Sequence, residues 1–237
     1  QAILTLGDSL VLGRMRWSAS GISTGRFDVG AYEYEAILLN EVDAQGRRIR
    51  SEQFEVNRLD AALPRLYSSY AELLPDGPER TRTAAIARSL ADTLASVDLD
   101  AWCSSFSENI EFVDHRVLGF EPMRGRAAVR DLVRTRFEVS ESVEARIDDV
   151  LCLTSDLLLI HSTTTGTART GGGHYVAQLL SLWTFDDDGR TARLEYFDAD
   201  REAEALARID RLSAKTAKPR PGQRRVRRSP ATALWAR

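Results

Sequence analysis

The sequence predicts an α+β fold, a curved antiparallel sheet covered by helices, with a second, partial copy of that sheet ahead of it. Two observations carry this reading. Residues Ala36 to Leu66 return without a gap at Leu179 to Ile209, 143 residues later. The copies share Leu39/Leu182, Asp43/Asp186, Gly46/Gly189, Arg47/Arg190, Arg50/Arg193, Glu52/Glu195, Phe54/Phe197, Arg58/Arg201, Ala62/Ala205, Leu63/Leu206 and Arg65/Arg208. A repeat at that period marks a duplicated domain, because solenoid units are far shorter. The second observation is a change of period. Apolar residues recur at helical spacing between Glu79 and Glu138, then alternate after Ser140.

The elements follow in order. The first copy supplies strands near Ile3–Leu6, Leu10–Ser20, Ala31–Val42 and Ile49–Val56, then a helix over Asp60–Glu72. It lacks the helices that precede the strands in the second copy, so the sequence is expected to start inside a domain. Leu74-Pro-Asp-Gly-Pro, residues 74–78, is a linker whose two prolines stop helix continuation. From Glu79, Ile86, Leu90 and Leu94 form one apolar helical stripe. A short helix follows near Trp102, with Asp98 or Asp100 as its cap. A strand over Ile110–Asp114 and a helix over Arg126–Glu138 come next. Strands near Ala145–Leu153, Leu157–Thr167, His174–Phe185 and Thr191–Asp198 make a meander, with Asp188-Gly189 as a hairpin turn. Glu202–Leu212 is the closing helix. The domain organisation is therefore residues 1–73 as half a domain, 74–78 as linker, 79–212 as a whole domain, and 213–237 as a basic linker.

Composition excludes several classes. The chain of 237 residues is 43% hydrophobic and 28% charged, as ordinary globular proteins are. It has no run of about 18 apolar residues, so no helix is expected to span a membrane. Cys103 and Cys152 lack metal-ligand spacing and read as a reduced, cytoplasmic pair of core residues. Gly171-Gly-Gly lacks the Lys and Ser/Thr of a phosphate loop. After Asp210 every charge is basic, and Ser229-Pro230 reads as a helix start. The stretch has the character of a linker, and nucleic acid is not the expected partner.

Asp98-Leu-Asp-Ala-Trp, Phe106, Glu111-Phe-Val-Asp-His, Arg124-Gly-Arg-Ala-Ala-Val-Arg, Gly166-Thr, Asp188-Gly-Arg and Tyr196-Phe-Asp together resemble the SnoaL-like branch of the NTF2-like superfamily. The resemblance covers Glu79–Leu212 in full and Ile3–Glu72 by its second half. It implies an NTF2-like cone whose concave face holds a pocket. It does not name a function, since this fold hosts isomerases, cyclases, hydrolases and pure binding domains.

In that frame Asp114 is the candidate general base, at the strand end where related enzymes place a carboxylate, with His115 beside it. Trp102, Phe112, His161, Tyr175, Trp183, Tyr196 and Asp198 are the candidate pocket lining. A ketosteroid-isomerase activity is not expected, because Leu90 and Ser181 stand where oxyanion donors are needed. Asp114, Arg130 and Asp198 supply the residue types of an epoxide-hydrolase set. The three histidines, His115, His161 and His174, have no local ligand spacing, so neither a metal nor a cofactor is expected. Arg50, Glu52, Arg193 and Glu195 are expected to face solvent or a partner sheet. Three functions remain open. The segment binds a small hydrophobic ligand, or docks and dimerises, within a larger cytoplasmic regulatory protein. It is a cyclase, isomerase or hydrolase using Asp114 and His115. Or it is a pure scaffold with a side-chain-filled cone. A homo-oligomer or an intrachain pseudo-dimer is expected, and the uncovered half-domain is expected to expose apolar surface.

Overall fold

The computed structural model describes residues 2–24, 27–94 and 99–215. Asp98 as a cap, the basic stretch from 216 and the helix start at Ser229 lie outside the described residues.

The first segment forms a four-stranded antiparallel sheet. Its strands are β1 (Ala2–Leu6), β2 (Leu10–Ala19), β5 (Tyr32–Val42) and β6 (Arg48–Glu55), in the order β1-β2-β5-β6. A small hairpin, β3 (Ile22–Thr24) with β4 (Phe27–Val29), interrupts it. Helix α1 (Leu59–Leu73) follows, then α2 (Pro78–Leu94) and the short α3 (Leu99–Ser104). The second sheet contains β7 (Phe106–Asp114), β8 (Met123–Arg124), β9 (Ser140–Leu153), β10 (Leu157–Ala168), β11 (His174–Phe185) and β12 (Thr191–Asp198). Helix α4 (Arg126–Glu138) precedes β9, and α5 (Glu202–Lys215) follows β12. The sheet order is β8-β7-β12-β11-β10-β9. It is antiparallel except at one seam, where β7 runs parallel to β12 with Phe112 opposite Leu194 and Asp114 opposite Tyr196. A parallel neighbour needs a long crossover. The α4–β9–β10–β11 stretch supplies it.

The two segments share local geometry wherever they share sequence. Gly46 and Gly189 hold φ of 74° and 75°, a left-handed conformation that favours glycine. In each turn the preceding aspartate, Asp43 or Asp186, takes the arginine backbone N–H on its side chain and the glycine N–H on its carbonyl. A bulge falls at the same place in both hairpins, before Val42 and before Phe185. The outer face of the second sheet packs Cys152, Leu157, Leu159, Leu180, Leu182 and Phe197 under Ala205 and Ile209 of α5. Strand register puts Leu4, Leu10, Leu12, Ile37, Leu39 and Phe54 at the matching positions, under Ala62 and Leu66 of α1.

Of the residues expected to face solvent or a second sheet, Glu195 is instead wholly buried, whereas Arg50 and Glu52 keep about a third of their side chains exposed. Both glutamates tie the last helix of their segment to its last strand. Arg65 Nε donates to both Glu52 oxygens at 3.0 and 2.8 Å, and Arg208 Nε donates to both Glu195 oxygens at 3.0 and 2.9 Å. The spacing explains it. Glu52 and Glu195 share a strand face with Phe54 and Phe197, so the helix that covers the phenylalanine also covers the carboxylate.

The segments meet through helices. One apolar cluster includes Leu59, Leu63 and Tyr67 of α1, Ile86 and Leu90 of α2, and Ile147 and Val150 of β9. Tyr67 is buried, its ring edge-on to Phe185 with centroids 6.3 Å apart, and its hydroxyl donates to the Thr154 carbonyl at 2.7 Å. Arg82 of α2 donates to the carbonyls of Ser155, Phe185 and Asp186, holding two hairpin ends against the helix. On the first sheet's other face Val11, Leu38 and Val42 are buried, while Tyr32, Tyr34 and Ile49 are 49%, 45% and 61% exposed, so the expected exposed apolar surface is present only in part.

Candidate functional site

Alternation along β12 sorts the candidate residues between two faces. Leu194, Tyr196 and Asp198 point to the concave face, and Arg193, Glu195 and Phe197 to the face covered by α5. Phe112 and Tyr196 pack edge to face on the concave side, with centroids 5.1 Å apart. Deeper in, Trp102 of α3 stands edge-on to Phe106 at 4.4 Å and to Trp183 at 6.5 Å. Trp102, Phe106 and Trp183 thus pack as one aromatic group and Phe112 with Tyr196 as another, within the same apolar cluster. Trp183 is buried, and its indole Nε1 has no hydrogen-bond partner among the described residues.

Asp114 sits on this face beside Tyr196, its side chain fully buried. Its oxygens are taken up by the loop that follows. Oδ1 accepts from the Arg116 N–H at 3.2 Å and from Arg116 Nε at 2.9 Å. Oδ2 accepts from Arg116 Nη2 at 2.7 Å and from the Phe120 N–H at 3.1 Å. Burial alone would raise the Asp114 pKa, but the Arg116 guanidinium and the two backbone N–H groups outweigh it and hold the carboxyl below its ordinary value. The Arg116 guanidinium also lies over the Tyr196 ring, 5.6 Å from its centroid.

His115 points the other way. Its imidazole stacks on Phe197 at 4.5 Å, and Nε2 lies 2.6 Å from Glu195 Oε2 on the face under α5. Adjacent residues of a strand face opposite sides, so Asp114 and His115 share no reacting atom. Glu195, wholly buried, also takes Arg193 at 2.6 Å. Burial raises its pKa, and His115, Arg193 and Arg208 together bring it below the usual carboxylate range.

The remaining candidates separate. His161 pairs in register with Leu180, on the α5 face, and lies 3.8 Å from Asp148. Tyr175 pairs with Gly166 at the far end of the sheet, its hydroxyl 2.9 Å from Ser140 Oγ. Asp198 accepts the Val117 N–H at 3.1 Å. Arg130 pairs with Asp100 on the helical side, not with Asp114. Among the described residues no cluster of metal-ligating side chains occurs. A polar cleft of about 410 Å³ between α2 and the β11–β12 hairpin contains none of the candidates; Arg88, Ser89, Asp92 and Arg190 line part of it. Sequence reasoning missed Arg116, although its spacing of two residues from Asp114 was open to view.

A curved mixed sheet with helices over its concave face and aromatic lining defines a cone-type α+β domain. Residues 87–194 match the sequence profile of the SnoaL-like domain. No curated protein matches the chain. Three solved structures are similar at low identity. An NTF2-like protein from Exiguobacterium is 19% identical, over 44% of this chain and 87% of its own, with a TM-score of 0.36. A protein of ketosteroid isomerase-like fold from Catenulispora acidiphila, solved with trimethylamine, is 16% identical over 52% and 89%, with a TM-score of 0.41. An LEH-like epoxide hydrolase of M. tuberculosis is 18% identical over 61% and 100%, with a TM-score of 0.40. No helix among the described residues is long and apolar enough to cross a membrane.

Proposed function

We propose that the SnoaL-like domain binds a small hydrophobic molecule on its concave face and runs no acid–base chemistry through Asp114. The observation that carries the reading is Trp183. A buried indole N–H without an acceptor costs free energy that a bound acceptor recovers. Its neighbours Trp102 and Phe106 are flat and apolar, so the ligand is planar, mostly apolar, and carries a carbonyl or ether oxygen. Against a general base, Asp114 spends both oxygens on Arg116 and Phe120, and His115 lies on the opposite face. A base held below its ordinary pKa is a weak one.

In this reading residues 1–73 are the C-terminal half of a second SnoaL-like unit. The shared turns, bulges and Arg–Glu bridges support it. The two units form an intrachain pair through α1 and α2, in the service of a larger cytoplasmic regulatory protein. Burial of both free cysteines, which pushes the Cys152 thiol up to about 11, suits a reducing setting. The test is a titration of the full chain with fluorenone, a planar ketone, read on the Trp183 indole N–H by NMR. A saturable shift of that signal, lost in Trp183→Phe, is expected. Shifts confined to other tryptophans, or none, would refute the reading.

A further inference from the structure

We propose that residues 116–121 form a lid over the concave face, latched shut by Asp114 and Asp198, whose opening admits solvent and ligand to the cone. The proposal rests on the ligand-binding reading above, and its test separates the two.

The latch is one-sided. Five hydrogen bonds run from this segment to the two carboxylates, from the N–H groups of Arg116, Val117 and Phe120 and from two nitrogens of the Arg116 guanidinium. Both acceptors stand at strand ends on the concave face. The same guanidinium covers Tyr196, so the closed segment shields the aromatic lining. Close approach is needed for this. A Cβ at Gly119 would lie 2.9 Å from Asp114 Cγ and 3.0 Å from the Arg116 carbonyl oxygen, tighter than side chains tolerate. Only glycine lets the segment settle onto the carboxylate.

The outward side is what a static plug would not have. Val117, Leu118 and Phe120 are 76%, 92% and 40% exposed. A segment that only filled the mouth of the cone would bury its apolar side chains and leave polar ones in water. Here the Arg116 guanidinium and the backbone N–H groups of Arg116, Val117 and Phe120 are turned inward onto the two carboxylates. That is the arrangement of a segment with a second position, in which Asp114 and Arg116 are rehydrated and the apolar tip meets an apolar ligand. Hydrogen bonds to charged carboxylates are the stronger kind, so the closed position is the resting one and the open position a minor state that ligand contact with the apolar tip favours.

The experiment uses the full chain with Ser181→Cys, a concave-face position opposite Tyr196, as a reporter for thiol labelling, mapped by mass spectrometry. Gly119→Ala is added to open the latch without touching the lining. The lid predicts that Gly119→Ala speeds labelling of the introduced thiol about tenfold, the factor that ~1.4 kcal/mol represents, while buried Cys103 labels at its original rate. Equal rates at the reporter with and without Gly119→Ala would overturn the lid. So would a parallel rise at Cys103, which reports loosening of the whole domain. If the reporter alone speeds up but fluorenone leaves Trp183 untouched, the lid stands and the binding reading falls.

Discussion

Arg208 of α5 grips Glu195 of β12 through both carboxylate oxygens, and Arg65 of α1 grips Glu52 of β6 in the same way 143 residues earlier. One bridge therefore fixes the last helix on the last strand in both segments. The settings differ. The Glu195 side chain is wholly buried, whereas Glu52 is about one-third exposed.

That difference sets the first prediction. Removing one partner of a buried pair leaves a charge without water, and part of the usual cost of a few kcal/mol remains even with Arg193 and His115 in place. Arg208→Gln should lower stability by about 2 kcal/mol in urea unfolding. Arg65→Gln, at a half-solvated site, should cost about 1 kcal/mol or less. Equal losses would show that burial does not govern the bridge.

A pH dependence follows from two depressed carboxyls, Glu195 and Asp114. Each binds its proton less readily folded than unfolded, so its contribution is complete above the unfolded value, about 4. It is lost as pH falls through the lower folded value. Stability should fall below about pH 4, with a shallower fall in Glu195→Gln. An unchanged acid limb in that variant would remove Glu195 from the account.

Tyr67 carries the junction between the segments. Tyr67→Phe keeps the ring on Phe185 but leaves the Thr154 carbonyl without its donor. A loss of about 1–2 kcal/mol is expected, with the wild type unfolding in one cooperative transition. A wild type that melts in two separate steps would contradict the shared core.

Much of the fold was legible because helix and strand periods were written plainly where one side of an element meets water. The Gly46 and Gly189 turns, the closing helices and the long strands in chain order followed from residues alone; the short β3, β4 and β8 and the parallel pairing of β7 with β12 did not. The faces were harder. In β10, Leu157 and Leu159 pack under α5 while Leu158 and Ile160 line the cone, so the run is apolar throughout and alternation says nothing. That is why His161 reads as pocket lining, although it lies on the outer face. β7 begins at Phe106, four residues before the expected start, because polar Ser107, Glu108 and Asn109 mask its period. Position along the strand picks out Asp114 but not its partner. A carboxylate beside an arginine two residues on reads equally as a base or as an anchor until the loop is closed.

The most direct measurement is an NMR titration of the Asp114 carboxyl in the full chain. An anchor held by Arg116 and the Phe120 N–H titrates below its ordinary value near 4, and moves upward when Arg116 is changed to Gln. A pKa near 6 or above, the range of a desolvated general base, would contradict the account and return the domain to the acid–base enzymes.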